Sequence, residues 1–292
     1  MSQTTLPLAS ARGGAKKSAL WRALFHPSTI IGGVIVLFFV LVAVFAPWLS
    51  PYDPNASDWL SIRQPPSALH WFGTDDLGRD ILARVIYGAR ASLAAGIIAV
   101  AIAIALGVPL GLIAGYFGGV IDAVISRFTD ALLAVPFLVL AIALAAFLGP
   151  SLENAMIAIG VSAMPIFIRL TRGQVMSIKN EDYVTAVRAL GVRDRSIILS
   201  HILPNVLAPI VVQGTITMAV AVLAEASLAF LGLGQRPPAP SWGSMLDIAR
   251  QFLTEAPWMA IWPGLAIIAI VLGFNLLGDG LNDALNPQGE DE

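Results

Sequence analysis

Long apolar runs separated by shorter polar stretches set the pattern of this chain. Thr29–Leu49 has 21 residues without a charge, and Ala91–Ile121 has 31. Further apolar runs cover Ala131–Leu148, Asn154–Leu170, a stretch from near Pro204 to Leu233, and Ala256–Leu277. A helix needs about 20 apolar residues to cross a bilayer core of about 30 Å. The pattern therefore predicts six membrane-spanning helices. The first run is longer than the roughly 7–15 apolar residues of a cleaved secretory leader, so it reads as a retained span. Gly, Ala and β-branched residues fill the runs, which suits close helix packing in lipid.

Composition supports the same class. Hydrophobic residues make up 57% of the chain and charged residues 12%, about half the usual share in a soluble domain. The expected fold is all-α and polytopic. A net charge of −2 gives no basic field for nucleic acid. The absence of cysteine excludes disulfides and thiolate metal sites. With the N-terminus inside, eleven Lys and Arg fall on the inner side and six on the outer side, which favours both termini inside. The expected division is a cytoplasmic tail over 1–28, a first span over 29–49 and an extracytoplasmic loop over 50–90. A five-helix core follows over 91–280, with an inner loop at 171–205, and a tail over 281–292 ends the chain.

One inner stretch breaks the apolar pattern: NEDYVTAVRALGVRDRSIILSHILPN, residues 180–205. Asn180 is a candidate N-cap, and Glu181 and Asp182 suit the positive end of a helix. Tyr183, Ala186, Val187 and Leu190 share one helical face. Gly191 stands where a left-handed cap would stop the helix. A second helix is expected near Asp194, carrying Ile197, Ile198 and Ile202, with Pro204 at the junction to the fifth span. Residues 169–205 carry a net charge of +3. Caps and an apolar face are the marks of a short rigid element offered to a partner, not of a disordered linker.

The outer loop has a Pro-rich first half and then TDDLGRDILARVIYGAR. Thr74 is a candidate N-cap for an interfacial helix, with Asp75 and Asp76 in its first turn and Asp80 paired to Arg84. This segment is either a simple lead-in to the second span or part of a docking surface for an external partner. Asp75, Asp76 and Arg79 would then contribute, with Trp242 from the second outer loop. Trp242, Trp258 and Trp262 are expected at the headgroup level. A short amphipathic helix is expected over Met245–Leu253. Both outer loops are too short for a solute-binding domain, so tight solute binding would belong to another polypeptide.

The chain has no phosphate-cradling G-x-x-x-x-G-K-[ST], no G-x-S-x-G and no H-E-x-x-H. Its three histidines are scattered, so no metal site and no catalytic residue is expected. Glu225 lies within the fifth span. An ionisable group there faces a translocation path, pairs with a partner subunit, or lies near the outer interface. A stand-alone transporter or channel is the different-class alternative. It would be expected to show internal repeats, and none is evident.

The inner loop resembles the cytoplasmic signature of permease subunits of binding-protein-dependent ATP-binding-cassette importers. That pattern is E-A-A, three residues, G, nine residues, I-x-L-P. Here it reads Thr185-Ala186-Val187, Gly191, then His201-Ile202-Leu203-Pro204, departing at Thr185, Val187 and His201. FGTDDLGRDILARVIYGAR, GLIAGYFGG, EASLAFLGLG, PPAPSWGSML and FNLLGDGLNDALNP resemble the dipeptide, oligopeptide and nickel branch. The resemblance covers about residues 27–287. It implies a type I importer fold and a related permease as heterodimeric partner. It also implies two cytoplasmic ATPases carrying ATP and Mg, and an external solute-binding protein. Asp182, Tyr183, Thr185, Ala186, Val187, Leu190, Gly191 and Pro204 would form the ATPase-coupling element. The implied cargo is a peptide, with glutathione or nickel as alternatives, and the chain itself would bind no cofactor.

Overall fold

The computed structural model describes residues 26–285. The expected tails, with Arg12, Lys16, Lys17 and Arg22, lie outside the described residues apart from their innermost positions. Nine helices organise the described chain. They are α1 (Pro27–Val44), α2 (Ile81–Phe117), α3 (Gly119–Leu133), α4 (Phe137–Leu148), α5 (Leu152–Ile178), α6 (Asp182–Ala189), α7 (Leu203–Phe230), α8 (Trp242–Ala249) and α9 (Trp258–Leu285). Short helical turns join some of them. Five of the described helical segments are long and apolar enough to cross a membrane, and the bent pair α3–α4 makes a sixth when counted as one span.

The span boundaries differ from the hydrophobic runs in three places. First, α2 begins at Ile81, well before the uncharged run, and has 37 residues. Asp80 caps it by accepting from the Ala83 amide at 2.7 Å. Thr74 is not the cap. Asp75 Oδ1 accepts from the amides of Leu77 and Arg79, and Gly78 has φ +73°, so residues 75–79 close a tight turn before any helix starts. Second, the apolar run Ala131–Leu148 is not one straight span. α3 and α4 meet at 90° across Ala134–Pro136. Pro136 has no amide hydrogen and drives Val135 out of helical geometry. Third, α5 continues past Leu170 to Ile178. Its polar end is bound to neighbours: Arg172 pairs with Asp122 (2.7 Å, Nη2 to Oδ2), and Lys179 Nζ donates to the Gly115 carbonyl at 2.7 Å.

The most extensive helix pair is α2 with α5. Gly107, Gly111 and Gly115 recur every four residues along α2, so they fall on one face. A Cβ added to them would stand 2.7, 2.6 and 2.7 Å from the Cβ atoms of Phe167, Thr171 and Val175, which recur every four residues on α5. Hydrogen on one helix lets backbone and side chain of the other approach directly. Around this pair lies one apolar core, with Ile159, Phe167, Val206 and Leu228 fully buried. A second core joins α1, the start of α2, α8 and α9 through Phe39, Ile81, Trp242 and Ile270. α1 turns much of its apolar surface outward at Ile31, Val34, Leu37 and Phe38, as a lipid-facing helix does.

Gly111→Val is expected to destabilise the fold by about 1–3 kcal/mol, because the added side chain overlaps Thr171 and the α5 backbone. Thermal unfolding of the detergent-solubilised protein measures this. A valine variant as stable as the parent would mean the helices do not meet at Gly111.

Candidate coupling element and outer cap

The inner loop folds as a helix, a corner and a second helical turn. α6 starts at Asp182, with Glu181 as its N-cap residue, so Asn180 does not cap it. Asn180 instead donates from Nδ2 to the Met176 carbonyl and extends the end of α5. The acidic residues fall at the start of α6 and Arg188 at its end, each matched to the helix dipole. Gly191 adopts φ +77°. Its amide bonds the Arg188 carbonyl at 3.0 Å, and the Val192 amide reaches the Val187 carbonyl at 3.5 Å, which together form the glycine-closed helix end. Beyond the corner, Asp194–Ser196 begins a turn that widens into a π-helix over Ile197–Ile202 just before Pro204. Proline lacks the amide that a regular helix would use there.

One face of this loop is anchored and the other is offered outward. Val184, Ile197 and Ile202 are fully buried in the same core as Phe167 and Val175. Asp182, Thr185, Ala186, Gly191 and Pro204 are exposed, Val187 is half-buried, and Leu190 is 82% exposed. Tyr183 also faces outward, and its hydroxyl accepts from Asn205 Nδ2 at 3.2 Å. Seven of the eight residues expected in the coupling element thus lie on α6 or at its Gly191 end, and Pro204 lies at the start of α7. Thr185, in the place of the signature Glu, lies on the exposed side.

At the opposite end, residues 50–80 and the segment after α7 form a cap. The Arg84 side chain holds it together. Arg84 Nη1 donates to the Pro54 carbonyl at 2.9 Å and the Pro238 carbonyl at 3.3 Å, and Nε lies 3.4 Å from Asp75 Oδ2. Arg79 Nε pairs with the same carboxylate at 2.7 Å, and Arg79 Nη2 reaches Asp76 Oδ1 at 3.2 Å. Asp80 does not pair with Arg84. Its carboxylate is committed to the helix cap and to His70 Nδ1 at 2.9 Å.

These positions correct the expected docking set. Asp75 and Arg79 are buried, and Trp242 is fully buried. They tie the cap to the spans and present nothing to an outside partner, while Asp76 is half-buried. Trp242 donates from Nε1 to the Val85 carbonyl at 3.0 Å and meets Phe39 edge-on at 5.4 Å, inside the protein and not at a headgroup. Trp258 donates to the Thr74 carbonyl at 3.2 Å, and Trp262 stacks on Phe72 at 3.8 Å. Glu225 is likewise interior. It is fully buried and accepts from Ser92 Oγ at 3.0 Å, and Ser92 Oγ lies 3.4 Å from the Trp242 amide. Enclosed this way, its carboxylate faces neither an open path nor an outer surface of the chain.

Residues 107–288 match the family of binding-protein-dependent transport system inner membrane components. The chain belongs to this family. Residues 17–66 of the permease match the N-terminal transmembrane domain of oligopeptide transport permease C. The dipeptide transport system permease protein of Alkalihalophilus pseudofirmus is 50% identical over 273 residues, spanning 92% of this permease and 90% of the relative. The glutathione transport system permease protein of Salmonella paratyphi A is 48% identical over 264 residues, spanning 90% and 87%. The inward-facing MetNI methionine transporter aligns with a TM-score of 0.56 at 21% identity, spanning 70% of this permease and 96% of the matched chain. That likeness shows the type I importer fold. Membership makes the permease an inner-membrane subunit that works with an ATPase and a solute-binding protein.

Several polar residues of the permease escape a reading by runs and motifs. Tyr116 sits in an uncharged run and counts as span until its partner is known. It donates to Asp194 at the far side of the loop. Arg84 and Ser92 likewise find their partners across long separations in sequence.

Asp75→Ala leaves Arg79 and Arg84 buried side by side without their shared carboxylate, and is expected to cost about 3–5 kcal/mol. Asp76→Ala, at a half-exposed group, should cost under about 1 kcal/mol. Thermal denaturation of the two variants reads the contrast, and equal losses would refute the buried network.

Proposed function

We propose that this permease carries short peptides inward as one half of a heterodimer with a related permease. Two ATPase subunits beneath it hold ATP and Mg and perform hydrolysis, and this chain has no catalytic role. An external solute-binding protein delivers the cargo at the cap, where Trp59, Leu60, Leu69 and Trp71 are exposed. The observation that carries this proposal is the inner corner. A helix with acidic residues at its start, anchored by Val184 and closed at Gly191, holds Leu190 out to a partner. Closure of the ATPases on ATP pushes α6, and α6 is joined directly to the end of α5 and through the following turn to α7. Asp182–Gly191 is the coupling element, and Pro204 sets its return into the fifth span.

The cargo is inferred from the relatives. Their names specify dipeptides and glutathione, and glutathione is itself a short peptide. Both share amide groups and a free carboxylate. Glutathione is therefore the second cargo reading. The test is uptake into vesicles holding the complete complex and its binding protein, with labelled dipeptide and labelled glutathione compared at equal concentration. Dipeptide transported well above glutathione supports the first reading. Absence of transport for both, in an ATP-hydrolysing complex, would remove the peptide assignment.

Gly191→Val tests the corner. The added side chain enters open space, so nothing blocks insertion. The positive φ is nonetheless disfavoured for valine by about 1–2 kcal/mol. Uptake is expected to fall about tenfold, the change that ~1.4 kcal/mol produces, while the chain still reaches the membrane. Undiminished uptake would show that the corner does not couple.

A further inference from the structure

Tyr116 is the next-to-last residue of α2, and its buried side chain meets both arms of the inner loop. Its hydroxyl donates to Asp194 Oδ1 at 2.5 Å. The Arg188 guanidinium lies 5.3 Å from the centre of its ring. Arg188 stands on α6 before Gly191, and Asp194 opens the turn after it. One aromatic side chain therefore spans the corner from behind.

The chemistry of these contacts makes them directional. A hydrogen bond to a carboxylate is stronger than one between neutral groups. Its loss leaves a buried hydroxyl without a partner. The guanidinium is drawn to the ring face, which also holds the ring's plane. The loop is otherwise held to the spans by one bond from Asn205 of α7 to the Tyr183 hydroxyl and by apolar contacts through Val184, Ile197 and Ile202, and apolar contacts allow sliding. Two further polar ties, Arg172 with Asp122 and Lys179 with the Gly115 carbonyl, fix α5 to α3 and α2 without touching the loop corner. Tyr116 thus provides the polar contact that joins the end of α2 to the residues on either side of Gly191.

We propose that Tyr116 is a positioning residue for transport: with Asp194 and Arg188 it clamps both arms of the coupling loop to α2, so that a push on α6 is delivered to the second span. This rests on α6 being the coupling element.

The test uses the complete complex in vesicles, with peptide uptake and ATP hydrolysis measured on the same preparation and normalised to assembled complex. Tyr116→Phe keeps the ring and removes only the hydroxyl. Asp194→Ala removes the acceptor from the exposed side of the loop. Each is expected to lower uptake per ATP hydrolysed about five-fold or more. The double variant should be no worse than the weaker single, because both remove one interaction. If uptake per ATP stays at the parent value in both single variants, the clamp is overturned, even where the amount of assembled complex falls. Gly191→Val separates the two levels. If it uncouples while Tyr116→Phe does not, the clamp alone fails. If it leaves coupling intact, the coupling role of the loop fails first.

Discussion

The close contact between α2 and α5 is the constraint on which the other contacts rest. Between two helices in lipid, apolar side chains gain nothing by leaving the hydrocarbon for each other. What remains is fit at short range and polar bonding. Gly107, Gly111 and Gly115 provide the fit by letting Phe167, Thr171 and Val175 rest directly on the α2 backbone. The polar bonds then fall where this pair ends. Arg172 draws in Asp122 and with it α3, and Lys179 donates to the carbonyl of Gly115 near the end of α2. The inner loop leaves from the end of α5, so its starting point is set by the same contact.

Some polar side chains within the bundle, such as Ser162 and Thr217, bond only their own helix, while others form knots that join segments far apart in sequence. Arg84 binds the carbonyls of Pro54 and Pro238, one from each outer loop. Ser92 lies between Glu225 and the amide of Trp242. Tyr116 meets Asp194. In a low-dielectric interior an unpaired polar group is costly, so each knot specifies one arrangement of its partners and opposes sliding. The two ends of the bundle are therefore held by polar specificity, and its middle by small-residue packing.

The fold class, the number of spans and the corner at Gly191 are legible in the chain, because each depends on local pattern: run length, charge spacing and a glycine where a helix must stop. The bent third span is less visible. Pro136 marks it, but hydropathy runs straight through. The outer loop misleads for a physical reason. Thr74, Asp75 and Asp76 have the composition of a helix start, yet Asp75 spends its carboxylate on a turn, and the helix waits for Asp80. Charged residues in a loop outside a membrane suggest a surface. Here Arg79 and Arg84 share the Asp75 carboxylate in the interior; the spacing of Asp75 and Arg79 permits their pairing, but nothing in the sequence announces its burial or the addition of Arg84. Glu225 and Trp242 fail in the same way, since their partners lie more than a hundred residues away.

The length of α2 has a mechanical consequence. Its 37 residues give a rod of about 55 Å, running from Tyr116 beside the inner loop to Arg84 beneath the cap. A tilt of about 5° about one end would carry the other through about 5 Å, close to one helical turn. A small rotation imposed on one side of the membrane is thereby amplified into a displacement large enough to part or close contacts on the other.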